Sequence, residues 1–148
     1  MSSRVDRVGK LIELADIELD KAAKMLAAVQ EQFTQELTQL EALEAYEKEY
    51  ANQPVNQSES MTLVALQTRH AFGEKLRQAV VSQSFQVSEL EGTIERARDN
   101  WLEKRKELKS LQALQDKLKQ SQQVQLDRQE QRMLDDLAAQ GVIKNKKT

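Results

Sequence analysis

From Val8 to Phe33 apolar side chains recur in alternating steps of four and three residues, through Ile12, Ala15, Leu19, Ala22, Leu26 and Val29. A second run with the same rhythm extends from Val87 to Leu118, and the only proline, Pro54, lies between the two. Steps of this kind place one narrow apolar stripe on a helix, repeating about every 3.5 residues, and such a stripe is buried only when another helix winds against it. The pattern predicts an all-α fold, a long two-helix antiparallel coiled-coil hairpin. A single seam leaves no room for a catalytic pocket, so a non-enzymatic protein is expected.

Local signals divide the chain into four pieces forming one coiled-coil domain over 1–148. Ser3 followed three residues later by Asp6 reads as an N-cap, which predicts helix one over about 4–51. The polar stretch 52–60 contains Pro54 and several capping side chains and reads as the turn. Helix two is predicted over about 61–140, where Gly141 offers a C-terminal stop before a basic tail, 141–148. Gly73 and Gly92 fall inside helix two, as places for bending or close approach.

The rhythm itself suggests a register. Two four-residue steps follow one another at Val29, Phe33 and Leu37, and again at Ala79, Gln83 and Val87. Such a stutter locally unwinds a supercoil, and paired helices are expected to stutter at the same height. Setting Phe33 opposite Gln83 puts the fold point near Ser58 and places Ala15 against Trp101, Leu19 against Ala97, Ala22 against Ile94 and Leu26 against Leu90. Large side chains then face small ones at most levels, which fills a narrow seam without voids. In this register helix one ends opposite about residue 112, and helix two projects beyond it by roughly 40 Å at 1.5 Å per residue. Leu114, Leu118, Val124, Leu126, Met133, Leu134 and Leu137 are expected to lack a partner within the hairpin.

Composition agrees with long exposed helices: 31% of the 148 residues are charged and 4% aromatic, with four glycines. Charge is uneven. Residues 1–50 carry 6 Lys and Arg against 11 Asp and Glu, net −5, whereas 101–148 carry 11 against 7, net +4. Folding the acidic arm onto the basic one favours the intramolecular pairing over a parallel dimer, so a monomer is expected. No stretch is apolar enough to span a bilayer or to act as a secretory signal, which predicts a soluble, cytoplasmic protein.

Candidate chemistry is sparse. His70 is the only histidine and cysteine is absent, so ordinary zinc sites and thiol nucleophiles cannot be assembled. Neither a metal nor a cofactor is expected, and no nucleotide-binding glycine motif occurs. The basic run Lys104-Arg105-Lys106-Glu107-Leu108-Lys109 is interrupted by acid and faces an acidic arm, so nucleic acid is not an expected partner. The sharper cue is a patch near the turn. Gln39, Leu43, Tyr46 and Tyr50 share a 4-3-4 spacing with Phe72, Leu76, Ala79 and Gln83. These two quartets hold three of the six aromatic residues, a concentration that binding hot spots favour. Phe72, Leu76 and Ala79 are either seam or contact surface, while Tyr46 and Tyr50 are expected at an exposed edge where their hydroxyls stay wet.

The acidic segment Ala42-Leu43-Glu44-Ala45-Tyr46-Glu47-Lys48-Glu49-Tyr50, the later Gln67-x4-Phe72-x3-Leu76-x2-Ala79 and Trp101-Leu102-Glu103-Lys104-Arg105-Lys106-Glu107-Leu108 resemble the bacterial flagellar export family FliJ over nearly the whole chain. That resemblance implies an antiparallel coiled coil similar to the rotor stalk of rotary ATPases. It implies a central stalk of the flagellar type III export apparatus, seated in the hexameric export ATPase, promoting ring assembly and linking it to the cytoplasmic part of the export gate. Export chaperones are further implied partners, and the implied location is cytoplasmic, peripheral to the inner-membrane apparatus. The implied gate-binding surface is Gln39, Leu43, Tyr46, Tyr50, Phe72, Leu76, Ala79 and Gln83, where Gln83 stands in place of the histidine that relatives can carry. The implied ATPase-facing residues are Val8, Leu11, Ile12, Trp101, Arg105, Leu108, Leu111 and Leu118. A virulence-type secretion stalk and a generic coiled-coil tether or chaperone are the alternative readings.

Overall fold

The protein is described by a computed structural model covering residues 3–53 and 62–147, with side chains described at 4–53 and 62–141. The described residues form two helices, α1, Ser3–Ala51, and α2, Leu63–Lys147, which make the expected all-α hairpin. Pro54, Ser58 and most of the expected turn lie outside the described residues.

The start of α2 is set by Thr62. Its hydroxyl accepts the Ala65 amide at 3.2 Å and its carbonyl accepts the Leu66 amide at 3.1 Å, which is N-cap geometry. At the other end α2 passes Gly141, where the sequence predicted a stop, and continues to Lys147. No glycine takes a positive φ, so Gly141 does not adopt the left-handed cap conformation that would end the helix.

The chain divides into two compact units, residues 1–20 with 103–148, and residues 21–102. In the unit spanning 21–102, α1 contributes a stripe of buried and half-buried positions at Ala22, Leu26, Val29, Phe33, Leu37, Leu40, Leu43, Glu47 and Tyr50. On α2 the matching stripe passes through Arg69, Gly73, Leu76, Ala79, Gln83, Val87, Leu90, Ile94, Ala97 and Trp101. Both stutters are present as steps in these stripes. Thr34 lies within the α1 stutter and Thr38 just after it, each donating its hydroxyl to the carbonyl four residues back, at 3.0 and 2.9 Å. Such bonds let a hydroxyl sit on a helix without competing for other partners.

The register differs from the expected one. Gln83 Nε2 donates to the Glu36 carbonyl at 2.9 Å and also to the Glu36 carboxylate, one helical turn further along α1 than Phe33. A two-helix seam built from similar apolar steps fits almost equally well when slid by one turn, so the polar side chain at the stutter decides between the two. Burial is thin, as one seam allows. Ala22, Val29, Leu40, Leu76 and Val87 are buried in this unit, and no described side chain anywhere is completely enclosed.

The other unit, 1–20 with 103–148, repeats the pattern at Val8, Ile12, Ala15 and Leu19 against Lys104, Leu108, Leu111, Gln115, Leu118 and Gln122. A Cβ placed on Gly9 would lie 3.3 Å from Gln115 Nε2, so α1 is still paired where the sequence register had it ending near residue 112. Leu118 is accordingly half-buried, whereas Leu114 is exposed as expected. Beyond Gln122 every described side chain of α2 is exposed, including Val124, Leu126, Met133, Leu134 and Leu137.

Candidate functional site

Aromatic side chains gather where the last turns of α1 meet the first turns of α2. Leu43, Glu47 and Tyr50 lie on the inner stripe of α1, while Tyr46, one step off it, projects from the edge and is 48% exposed. Phe72 on α2 is 40% exposed and meets both tyrosines edge to face, with ring centroids 6.2 Å from Tyr46 and 5.0 Å from Tyr50. Edge-to-face packing puts the positive ring edge against a negative ring face, which makes these pairs attractive beyond their area.

Tyr50 departs from the expectation of an exposed edge. It is half-buried, its hydroxyl donates to the Arg69 carbonyl at 3.0 Å, and Gly73 lies against its ring, where an added Cβ would be 3.7 Å from Cε1. A protein carbonyl thus satisfies the hydroxyl that water was expected to satisfy, and the ring is free to turn inward. Arg69 also donates from Nη2 to the Gln53 carbonyl at 2.8 Å and places its guanidinium 5.7 Å from the Tyr50 ring centroid. Asn52 and Gln53 complete the end of α1 with amide bonds to the Lys48 and Tyr50 carbonyls, at 3.0 and 3.3 Å.

The eight residues of the expected gate-binding surface therefore fall into different surroundings. Gln39, Leu43 and Tyr46, with Ala42, line one open groove of about 370 Å³ with a mainly apolar wall. Tyr50 lines a second groove, about 410 Å³, together with Glu47, Arg69, His70 and Gly73. Leu76 is 8% exposed and belongs to the seam, with half-buried Ala79 one turn on. Gln83 is engaged by Glu36, as above. Of the eight, Phe72, Tyr46 and Gln39 are exposed and Leu43 is half-buried at the groove's edge.

Arg69 and Glu36 belong to this site although neither carries a sequence signal. Each is one charged residue among many on a helix, and its role arises from a partner on the other helix. The one available clue was that Arg69 falls on the continued seam rhythm, four residues before Gly73, where an arginine needs a polar partner.

The residues expected to face an ATPase ring divide similarly. Val8 is buried, and Ile12, Trp101, Leu108, Leu111 and Leu118 are half-buried on the inner stripes. Leu11 and Arg105 are exposed. Leu14 and Ile17, which the sequence reading passed over because they lie off the four-three stripe, are exposed beside Leu11 on the outer side of α1. Among the described residues no group of three or more His, Cys, Asp or Glu side chains is placed to hold a metal ion, and no helix is long and apolar enough to cross a membrane.

The sequence model of the family described as "Flagellar FliJ protein" matches residues 4–147. No curated protein matches the chain.

Proposed function

The chain belongs to the flagellar FliJ protein family, components of flagellar type III export, and on that premise we propose that it is a non-enzymatic stalk joining the export ATPase to the export gate. The observation that carries this reading is the pair of exposed rings of Tyr46 and Phe72, packed edge to face beside the apolar Gln39–Tyr46 groove, in a chain with only six aromatic residues. Exposed aromatics held by their neighbours are the usual anchors of a protein interface. This face receives the cytoplasmic part of the gate. The ATPase ring grips the other unit, where Leu11, Leu14 and Ile17 on α1 and the uncovered apolar side chains beyond Gln122 on α2 supply contact area. An asymmetric helix pair inside a six-fold ring contacts each subunit differently, so it can bias their conformations and promote assembly without doing chemistry.

The test is a titration of the full chain with the cytoplasmic part of the gate protein, paired with an ATPase assembly assay. Tyr46→Ala is expected to weaken gate binding about tenfold, the ordinary cost of removing an aromatic anchor, while leaving ATPase stimulation intact. A wild-type chain that neither binds the gate nor stimulates the ring overturns the stalk reading. Family membership favours the flagellar apparatus over a virulence-type system, and a neighbouring flagellar ATPase gene is the expected genetic context.

A further inference from the structure

The last carbonyls of a helix have no partner within it and need donors from elsewhere. At the end of α1 the Lys48 and Tyr50 carbonyls take the Asn52 and Gln53 amides, and two residues past the helix Arg69 of α2 donates to the Gln53 carbonyl at 2.8 Å. A cation at this position also opposes the negative pole of α1. The same residue reaches α1 twice more: its guanidinium lies over the Tyr50 ring at 5.7 Å, and its own carbonyl accepts the Tyr50 hydroxyl at 3.0 Å. Tyr50 therefore has its ring beneath the Arg69 side chain, while its hydroxyl is held by the Arg69 backbone carbonyl, which a substitution at 69 leaves in place. Tyr50 in turn packs at 5.0 Å against Phe72, and Phe72 at 6.2 Å against Tyr46. The series Arg69, Tyr50, Phe72, Tyr46 passes from half-buried side chains to exposed ones.

We propose that Arg69 is a positioning residue of the docking face: its clasp on Gln53 and Tyr50 holds Phe72 and Tyr46 in one preformed arrangement. The inference rests on the reading that this face docks on the gate. An exposed phenylalanine without such a brace samples several rotamers, and ordering it costs affinity when the partner arrives. With Tyr50 fixed from behind, that ordering precedes binding. Arg69 thus contributes to recognition through Tyr50 and Phe72, without itself needing to touch the partner.

The experiment uses the full chain, wild type and Arg69→Ala, Arg69→Lys, Tyr50→Phe and Tyr46→Ala variants, with aromatic NMR of the free protein and titration against the cytoplasmic part of the gate. In Arg69→Ala the Tyr50–Phe72 ring contacts and the shifted Phe72 ring signals are expected to be lost, and binding to weaken about five- to tenfold. Arg69→Lys keeps a cation at the end of α1 and is expected to recover much of both. The Tyr46→Ala penalty, about tenfold in the wild-type background, is expected to shrink to about twofold when Arg69 is also replaced, because residues acting through one cluster are not additive. Should Arg69→Ala fail to fold, Arg69→Gln, which keeps part of the stem without the cation, is expected to loosen the Phe72 signals in the same direction, while Tyr50→Phe reports separately on the bond to the Arg69 backbone carbonyl. Unchanged Phe72 signals in these variants, or fully additive binding penalties, overturn the clasp. A wild-type chain that does not bind the gate removes the docking partner, while loss of the Phe72 signals in Arg69→Ala still upholds the clasp.

Discussion

Tyr46 and Tyr50 share a residue type and lie four positions apart, yet their surroundings assign them different work. Tyr46 stands 48% exposed with its ring against Phe72, so Tyr46→Ala is expected to cost about 1 kcal/mol or less in urea unfolding, since about half of the side chain stays in water. Tyr50→Ala removes a half-buried ring, an edge-to-face contact and a hydroxyl bond, and is expected to cost about 2 kcal/mol by the same measurement. Equal losses for the two variants would show that both rings contribute alike to the seam. Gln83 offers a parallel case. Gln83→Ala leaves the half-buried Glu36 carboxylate without its amide donor and is expected to lower stability by about 1–2 kcal/mol, whereas Gln83→His keeps a ring N–H able to reach Glu36 and is expected to lie close to wild type.

At the scale of the helices, ends and interiors respond to different forces. The hydroxyl of Thr62 is the donor-satisfying cap of α2, so Thr62→Ala is expected to cost about 1 kcal/mol and to speed amide exchange at Ala65 and Leu66 before the rest of α2 is affected. Inside α2, Leu76 is one of the few buried side chains, and Leu76→Ala is expected to cost about 2–3 kcal/mol, the low end of the usual range because a two-helix seam can partly collapse into the gap. Ion pairs contribute far less. The Arg77–Glu74 pair is exposed, at 2.8 Å on one helix face, and such pairs count for well under about 1 kcal/mol. The apolar stripe and the caps, not the many surface charges, define these helices.

For the whole molecule, the decisive property is that the two stripes bury one another within a single chain. A single species near 17.0 kDa is therefore expected in analytical ultracentrifugation, and a concentration-dependent doubling of mass would show that the seam is shared between chains. Removing 123–148 takes away only exposed described side chains, so the truncated chain is expected to unfold at the same midpoint as the full one while losing ATPase stimulation. A fall in midpoint of several degrees would mean that this part of α2 is packed in solution. Neither result depends on the Tyr46 and Phe72 face proposed for docking, which lies in the unit 21–102.

The sequence by itself determined the two helices, their inward stripes and the presence of a stutter in each, because a four-three rhythm is a local property of how side chains leave a helix. It also grouped Gln39, Leu43, Tyr46 and Tyr50 with Phe72, Leu76, Ala79 and Gln83, since one spacing repeats on both arms. The tertiary structure alone decided the one-turn offset that brings Gln83 to Glu36, the inward turn of Tyr50 and the part played by Arg69. Similar apolar stripes can slide past one another by a turn at little cost, so their pattern does not select a register. That choice rests on polar contacts between residues as far apart as 36 and 83, and such contacts exist only once the two helices lie side by side.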